Sequence, residues 1–459
     1  MHTASLSHLA PQLSRALQTV RPSGHADEGF VVVSVPAPLA PAERVFAAGD
    51  SGQSFFWAPA RSMHFTAEGV AAEVSAAGPE RFRDMRRLIG ELLSSVKALE
   101  PQAPMPRVFG GFAFQDMPPQ GPLWKGFEAA RFVLPRTCYA QTDERAWISL
   151  SVGHRELSDP PLVERLITRS VAWLEGLLAQ PTPEDPRQAA SERVSEVPER
   201  DGWGTLVGAI KREIEGGGFR KIVAARRAVY QLTPAPSADR ILERLAQISG
   251  DCTRFAVRRD GKLFLGATPE WLVRKHGREL ETEAVAGSRS SREPGAAALL
   301  EASAKDRVEH ALVVEALLRA LGPLTTELEA PPKPGIRVLR DILHLYTPVS
   351  ATLREDTHVL DLVERLHPTP AVGGTPPAKA HRWIAEHESE ERGWYASPLG
   401  WVDANGDGQF VVTLRSALLT SDLAHVFAGA GIVAESDADL EFEETELKLS
   451  AMVNALGAS

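Results

Sequence analysis

Cysteine is almost missing from this 459-residue chain: Cys138 and Cys252 are the only two, at neither metal-ligand nor redox spacing. That excludes a disulfide framework and points to a reducing compartment. Long apolar runs are missing too, and none is long enough to span a bilayer. The N-terminus lacks a charged region followed by a continuous apolar core, so no signal peptide is expected and a cytoplasmic location is. Positive charge is also in short supply. Lys and Arg number 50 against 60 Asp and Glu, a net charge of −10. This argues against a nucleic-acid partner, because phosphate binding needs clustered cations. Small carboxylate substrates stay open, since a metal ion or two local cations reverse the field inside a pocket. No repeat of short fixed period is present.

What is there reads as an ordinary globular protein, with 43% hydrophobic and 24% charged residues. Leu6, Leu9, Leu13 and Leu17 recur at helical spacing. From Phe30 to about Cys138 short strands dominate (FVVVSVPAP, FFWAPARSMHF, GGFAF), interrupted by one helix expected over Pro79 to Leu99. A further helix covers Leu162 to Leu178, and the Pro-rich polar stretch after it is the best linker in the chain. A boundary near residue 195 divides the chain into a β-rich portion, 1–195, packing on a core, 196–459. That core should begin with a helix, Trp203 to Glu215, ended by glycines, and a strand starting at Lys221. Hairpin turns follow at Asp260–Gly261 and His276–Gly277. Next come a helix from Ser303 with Asp306 at capping-box spacing, a helix from Pro376 to about Glu390, two strands in GWVDANGDGQFVVTLRSALL, and a closing helix from Leu440 to Leu456. Hairpins with interspersed helices imply an α+β fold with a large, mainly antiparallel β-sheet and flanking helices.

Candidate chemistry gathers in the second half. Leu366 to Ala380, LHPTPAVGGTPPAKA, is a stiff loop opening a helix whose free N–H groups favour anions. In the closing helix Glu441, Glu444 and Lys448 share one face. In the Ser303 helix Glu309 lies in line with Val313, Ala316 and Ala320, and a carboxylate on an apolar stripe needs a partner or a metal. Glu309 with Glu444 makes a hard oxygen site suited to Mg²⁺. Lys221 starts a strand and Glu270 ends one; burial would fit the first for a base and the second for an acid.

Together KIVAARR, GATPEWL, ETEAVAGSRSSR, SAKDRVEH, ILHLYTP, LHPTPAVGGTP, RGWYASPLGW, VVTLRSA, GAGIV and EFEETELKL resemble, in order, the chorismate-utilising enzymes. That family includes isochorismate, salicylate, anthranilate and aminodeoxychorismate synthases. The resemblance is strong over about residues 203 to 455 and looser before them. It implies the chorismate-binding, anthranilate synthase component I-like fold and Mg²⁺-dependent chemistry on chorismate. By position, Lys221 would activate water for attack at ring carbon two, and Glu270 would assist departure of the hydroxyl at ring carbon four. Glu309 and Glu444 would hold Mg²⁺, with Glu441 behind them. Arg415 and Lys448 would take substrate carboxylates, Gly287, Ser288 and Gly429 would offer backbone or hydroxyl contacts, and His344 and Ala371 would line the ring pocket.

Lys221 sets the chain apart from the nitrogen-transferring members, so no glutaminase subunit is expected, and a monomer is. The HPTPAVGG form with Ala371 looks like the isochorismate synthases, with salicylate synthase as the alternative. RGWYASPLGW, FFWAP and GGFAF look most like menaquinone-pathway members, although the same activity also feeds catecholate siderophores. A non-catalytic chorismate-binding subunit is the reading from a different class; the occupation of every inferred catalytic position by a competent residue speaks against it.

Overall fold

Asp260 and Gly261 adopt left-handed φ values of 49° and 73°. This is the turn that folds Thr253–Arg259 back antiparallel on Lys262–Thr268. The structure, a computed structural model, describes residues 6–20, 29–179 and 190–457. Hairpins of this kind build most of it. Thr253–Arg259 pairs on its other edge with Ser54–Ala58, and Lys262–Thr268 with Ser416–Leu419. The sheet continues through Leu423–Ile432 to Lys221–Thr233. Elsewhere Gly408–Val412 joins Trp271–His276 to Pro398–Asp403, which in turn pairs with Arg107–Phe112. Among the described strands one pairing is parallel, Phe30–Val32 on Val96–Ala98. The α+β expectation, a large antiparallel sheet with flanking helices, is met.

Helices cover the sheet with the faces their spacing dictates. Leu9, Leu13 and Leu17 are buried on the first one. Ser303 caps Ala304–Leu321 by accepting from the Asp306 N–H at 3.2 Å, and Asp437 caps Ala438–Leu456 in the same way. One apolar core runs from Phe55, Phe82 and Phe132 to Trp203, Phe410 and Phe442, so strands and helices from both ends of the chain share it.

Several boundaries differ from the sequence expectation. The first-half helix is Arg81–Ser94 rather than Pro79 to Leu99, because Val96–Ala98 pairs with the sheet. FFWAPARSMHF is a hairpin of two strands, Ser54–Ala58 and His64–Ala76. The stretch expected as two strands is three, since Arg415 takes a φ of 48° and breaks VVTLRSALL. On the Ser303 helix the buried stripe runs through Glu309, Val313, Leu317 and Leu321; Ala316 and Ala320 are only half-buried. Of the expected linker, residues 180–189 lie outside the described residues, while Ala190–Val197 is a strand paired with Lys221–Thr233. Among the described residues no helix is long and apolar enough to cross a membrane.

Candidate active site

Lys221 opens the strand KIVAARR, and with Ile222 to Ala224 it is fully packed: its side chain has no exposed surface. Its Nζ stands 2.8 Å from Glu309 Oε1, ion-paired but with no acceptor aligned for a hydrogen bond. The space for both groups is the missing side chain of Gly431 on the neighbouring strand. A methyl group there would overlap Glu309 Oε1 and stand 2.5 Å from Lys221 Cε.

Glu270 follows the Lys262–Thr268 strand by two residues, its backbone tied to Thr268 Oγ1 and to the Val412 N–H. It is 3% exposed. Burial first, and the nearby Glu283 second, push its carboxyl up to about 8, against the pull of Lys221. It is therefore a protonated acid at neutral pH.

The next group turns on a β-bulge. Ala286 pairs with Leu345 and Ser288 with His344, so Gly287 is skipped, with φ at 76° and the Asp306 side chain 3.0 Å from where a Cβ would stand. The bulge aims Ser288 at His344. Arg415 Nη2 stands 3.1 Å from His344 Nε2, and a guanidinium only donates. The ring proton is therefore on Nδ1, between Gly287 O at 3.2 Å and Ser288 Oγ at 3.0 Å. Burial, then Arg415 and Lys448, lower the imidazole to about 3, so His344 is a neutral wall. Arg415 and Ala396, with φ at 48° and 59°, hold left-handed conformations disfavoured for side-chain-bearing residues.

The closing helix supplies Lys448, whose Nζ bonds Gly429 O at 2.8 Å and Glu444 Oε1 at 2.7 Å. Burial works against the Glu444 charge, yet Lys448 and Lys305 overcome it and hold the carboxyl well below its usual range. Glu441, one turn earlier and 1% exposed, is raised by burial and by Glu444, and Lys305 is its ion-pair partner.

These elements enclose a cavity of about 690 Å³, mouth included. Glu270, Gly287, Ser288, Glu309, His344, Ala371, Arg415, Gly429 and Lys448 line it. Three expected residues do not. Lys221 lies behind Glu309, Glu444 pairs with the lining Lys448, and Glu441 pairs with Lys305, which does not line the cavity. From the stiff loop only Ala371 and Val372 reach this space; Pro377, where its helix begins, lines a different cavity, so the helix start does not face this one. The loop owes its place to Arg392, which the sequence reading did not single out. Arg392 donates to Val372 O at 2.7 Å, Val223 O at 2.8 Å and both oxygens of Glu388, and its guanidinium lies over the Phe114 ring. Gly374 earns its lack of a side chain, since a Cβ would collide with the Lys221 carbonyl. Tyr395, which RGWYASP could have signalled, and Phe427 also line the cavity.

Among the described residues no three His, Cys, Asp or Glu side chains stand close enough to hold a metal ion by themselves. Magnesium asks for less: one or two carboxylates plus waters and substrate oxygens. Glu309 at the wall, Glu444 one lysine away and the buried Glu441 fit that demand.

Known proteins identify the family. The family described as chorismate binding enzyme matches residues 15–457. The salicylate biosynthesis isochorismate synthase of Pseudomonas aeruginosa is 36% identical, over 99% of this chain and 97% of its own. The isochorismate synthase MenF of Bacillus subtilis is 30% identical, over 89% and 88%. In fold, the menaquinone-specific isochorismate synthase MenF of Escherichia coli superposes with a TM-score of 0.78 at 23% identity, covering 98% of this chain and 99% of its own. Anthranilate synthase component I of Streptococcus pneumoniae follows at 0.70 and 19%, covering 95% and 96%. With a full-length family match over a cavity of this make-up, the chain belongs to the chorismate-binding enzymes.

Proposed function

We propose that this chain is an isochorismate synthase, interconverting chorismate and isochorismate. One observation carries the reading. A buried carboxyl that holds its proton to about pH 8 lines one cavity with Arg415 and Lys448, which make it cationic enough for a dicarboxylate, and the fully buried Lys221 stands directly behind its Glu309 wall. Lys221 Nζ, as the free amine, takes a proton from water as the water oxygen bonds to ring carbon two. Glu270 gives its proton to the hydroxyl leaving ring carbon four. One water enters and one leaves, and the two groups exchange roles in the reverse direction. Arg415 and Lys448 hold the carboxylates, Ser288 keeps its hydroxyl hydrogen free for the substrate because His344 donates to it, and Tyr395 and Phe427 exclude bulk water.

Glu309 and Glu444 would hold Mg²⁺, with Glu441 beside them, and the bound ion would supply positive charge to a substrate carboxylate. Water as nucleophile needs no amidotransferase, which supports a chain that works without a glutaminase subunit. The cavity-lining residues all come from Val223 onward, supporting 196–459 as the catalytic core and 1–195 as the layer packed on it. Relatives are named for salicylate biosynthesis and for MenF, so the proposal ends at isochorismate as product and leaves the menaquinone route as the motif-based expectation.

The test is incubation of the purified protein with chorismate, with and without Mg²⁺, and chromatography of the products. Isochorismate in equilibrium with chorismate, formed only with Mg²⁺, is expected. Salicylate plus pyruvate would make it a salicylate synthase, and chorismate bound but never converted would make it a binding subunit.

A further inference from the structure

Pro269 and Glu270 lie between two strands, Lys262–Thr268 and Trp271–His276. The sheet alone does not fix this junction, because the register of Trp271–His276 against Gly408–Val412 shifts between Trp271 and Val273. Side chains take over there. The Pro269 carbonyl accepts from Arg337 Nη1 at 2.5 Å, and the Trp271 N–H donates to Glu283 Oε1 at 2.9 Å. Arg337 and Glu283 are themselves joined by two hydrogen bonds, of 2.8 and 2.7 Å. One ion pair therefore grips the backbone immediately before and immediately after Glu270.

The pair is anchored elsewhere in the sheet. Glu283 stands in Glu279–Ser290 and Arg337 in Gly335–Val338, both paired with Ile342–Leu353. The guanidinium lies 3.9 Å from the centre of the Tyr346 ring. A two-pronged arginine–carboxylate pair fixes direction as well as distance. Arg337 Nη1 and Glu283 Oε1 each make a further bond, to the peptide groups that flank Glu270, so the fixed geometry is passed to that residue. Neither Glu283 nor Arg337 lines the active cavity. Of the charged groups acting on the Glu270 carboxyl, Glu283 favours its protonated form, and Lys221, Arg337 and Lys448 oppose it.

We infer that Arg337 and Glu283 are positioning residues for Glu270: their ion pair clamps the two peptide groups beside it and so fixes where its carboxyl meets the departing hydroxyl. The inference rests on Glu270 as the acid, and the test separates the two readings. Such a clamp acts on the chemical step and not on substrate capture, because Arg415 and Lys448 are left in place.

Isochorismate formation is measured at saturating chorismate and Mg²⁺ for wild type, Arg337→Met, Glu270→Gln and the double variant. Arg337→Met should lose about tenfold to a hundredfold in kcat, with KM for chorismate within about twofold of wild type. In the Glu270→Gln background the same substitution should cost less than about twofold, since Arg337 acts through a group already removed. Arg274→Met, which breaks an exposed cross-strand pair with Glu281 on the same two strands as Glu283 and Trp271, is the control and should keep full activity. Glu283→Gln should move the alkaline limb of kcat down by about one pH unit, which a purely structural role would not do. An unchanged kcat in folded Arg337→Met, or the same loss with and without Glu270, overturns the clamp and leaves Glu270 as the acid. An unmoved limb in Glu283→Gln overturns the part given to Glu283. Full activity in Glu270→Gln overturns Glu270 as the acid, and the clamp with it. Should Arg337→Met not fold, Arg337→Met with Glu283→Leu, which leaves no charge of the pair behind, takes its place; should Glu270→Gln be too slow to follow, the limb of Glu283→Gln decides.

Discussion

Gly431 is the smallest lever on the proposed chemistry, and its effect follows from the packing. A methyl on its Cα would sit 2.5 Å from Lys221 Cε and 2.9 Å from Lys221 Nζ, and would overlap Glu309 Oε1. Carbon atoms rest at roughly 3.5 Å or more, so Lys221 must retreat by about 1 Å. Misplacing a reacting group by an ångström costs on the order of 10²-fold in rate. Overpacking a closed core costs about 1–3 kcal/mol. Unfolding entropy of about 2.1 cal/mol/K per residue comes to roughly 1 kcal/mol/K for this chain, so Tm should fall by only about 1–3 °C. Gly431→Ala is therefore expected to stay folded and to lose about a hundredfold in kcat for isochorismate formation. Gly90→Ala is the control: it lies on an exposed face of Arg81–Ser94 with nothing within 4 Å of the new methyl, and it should keep full activity. If Gly431→Ala turned over within twofold of wild type, Lys221 and Glu309 would not be held where the chemistry requires them.

Other perturbations have equally definite signs. Glu270 is held protonated, with a folded-state pKa near 8 against an ordinary 4.5. Its contribution to stability is complete below about pH 4.5 and is lost as pH rises towards and through 8, a change of the order of 5 kcal/mol. Glu270→Gln should lose about 10²- to 10⁴-fold in kcat yet be more stable than wild type in urea melts at pH 9, and equal melts there would refute its burial as an acid. Breaking the buried Arg392–Glu388 pair with Arg392→Met should cost about 3–5 kcal/mol, much of it recovered in Arg392→Met with Glu388→Leu. Denaturant titration checks this: a double variant no more stable than the single one would show that the pair is not the source of the loss. Glu309→Ala and Glu444→Ala should each raise the Mg²⁺ concentration for half-maximal rate and the KM for chorismate; unchanged Mg²⁺ titrations in both would remove the metal site.

The sequence disclosed the parts whose signal is local. Asp260–Gly261, the Ser303 cap and the leucine stripe of the first helix follow from short-range chemistry, and each was found where expected. The residues brought to one cavity were legible through the ordered motifs, because Glu270, His344, Arg415 and Lys448 lie far apart in the chain and no spacing rule joins them. What stayed hidden depends on contact across the fold. Arg392 looks like any surface arginine until Val223, Val372 and Glu388 are seen converging on it. Lys305 likewise gains meaning only from a helix that begins more than a hundred residues later. Arg415 ends a strand that its apolar pattern would have continued, a departure no propensity foretells.

The sheet also constrains how the protein can be made. Ser54–Ala58 finds one of its partner strands at residues 254–258, and Arg107–Phe112 finds one at 399–403. At about 5–20 residues per second, a ribosome needs roughly 10–40 s to deliver the first of these partners and longer for the second. For that time the nascent chain carries two open strand edges, one of them SFFWA, which the finished protein buries at every position. Its yield in a cell is therefore set by what shields those edges during translation as much as by the stability of the finished sheet.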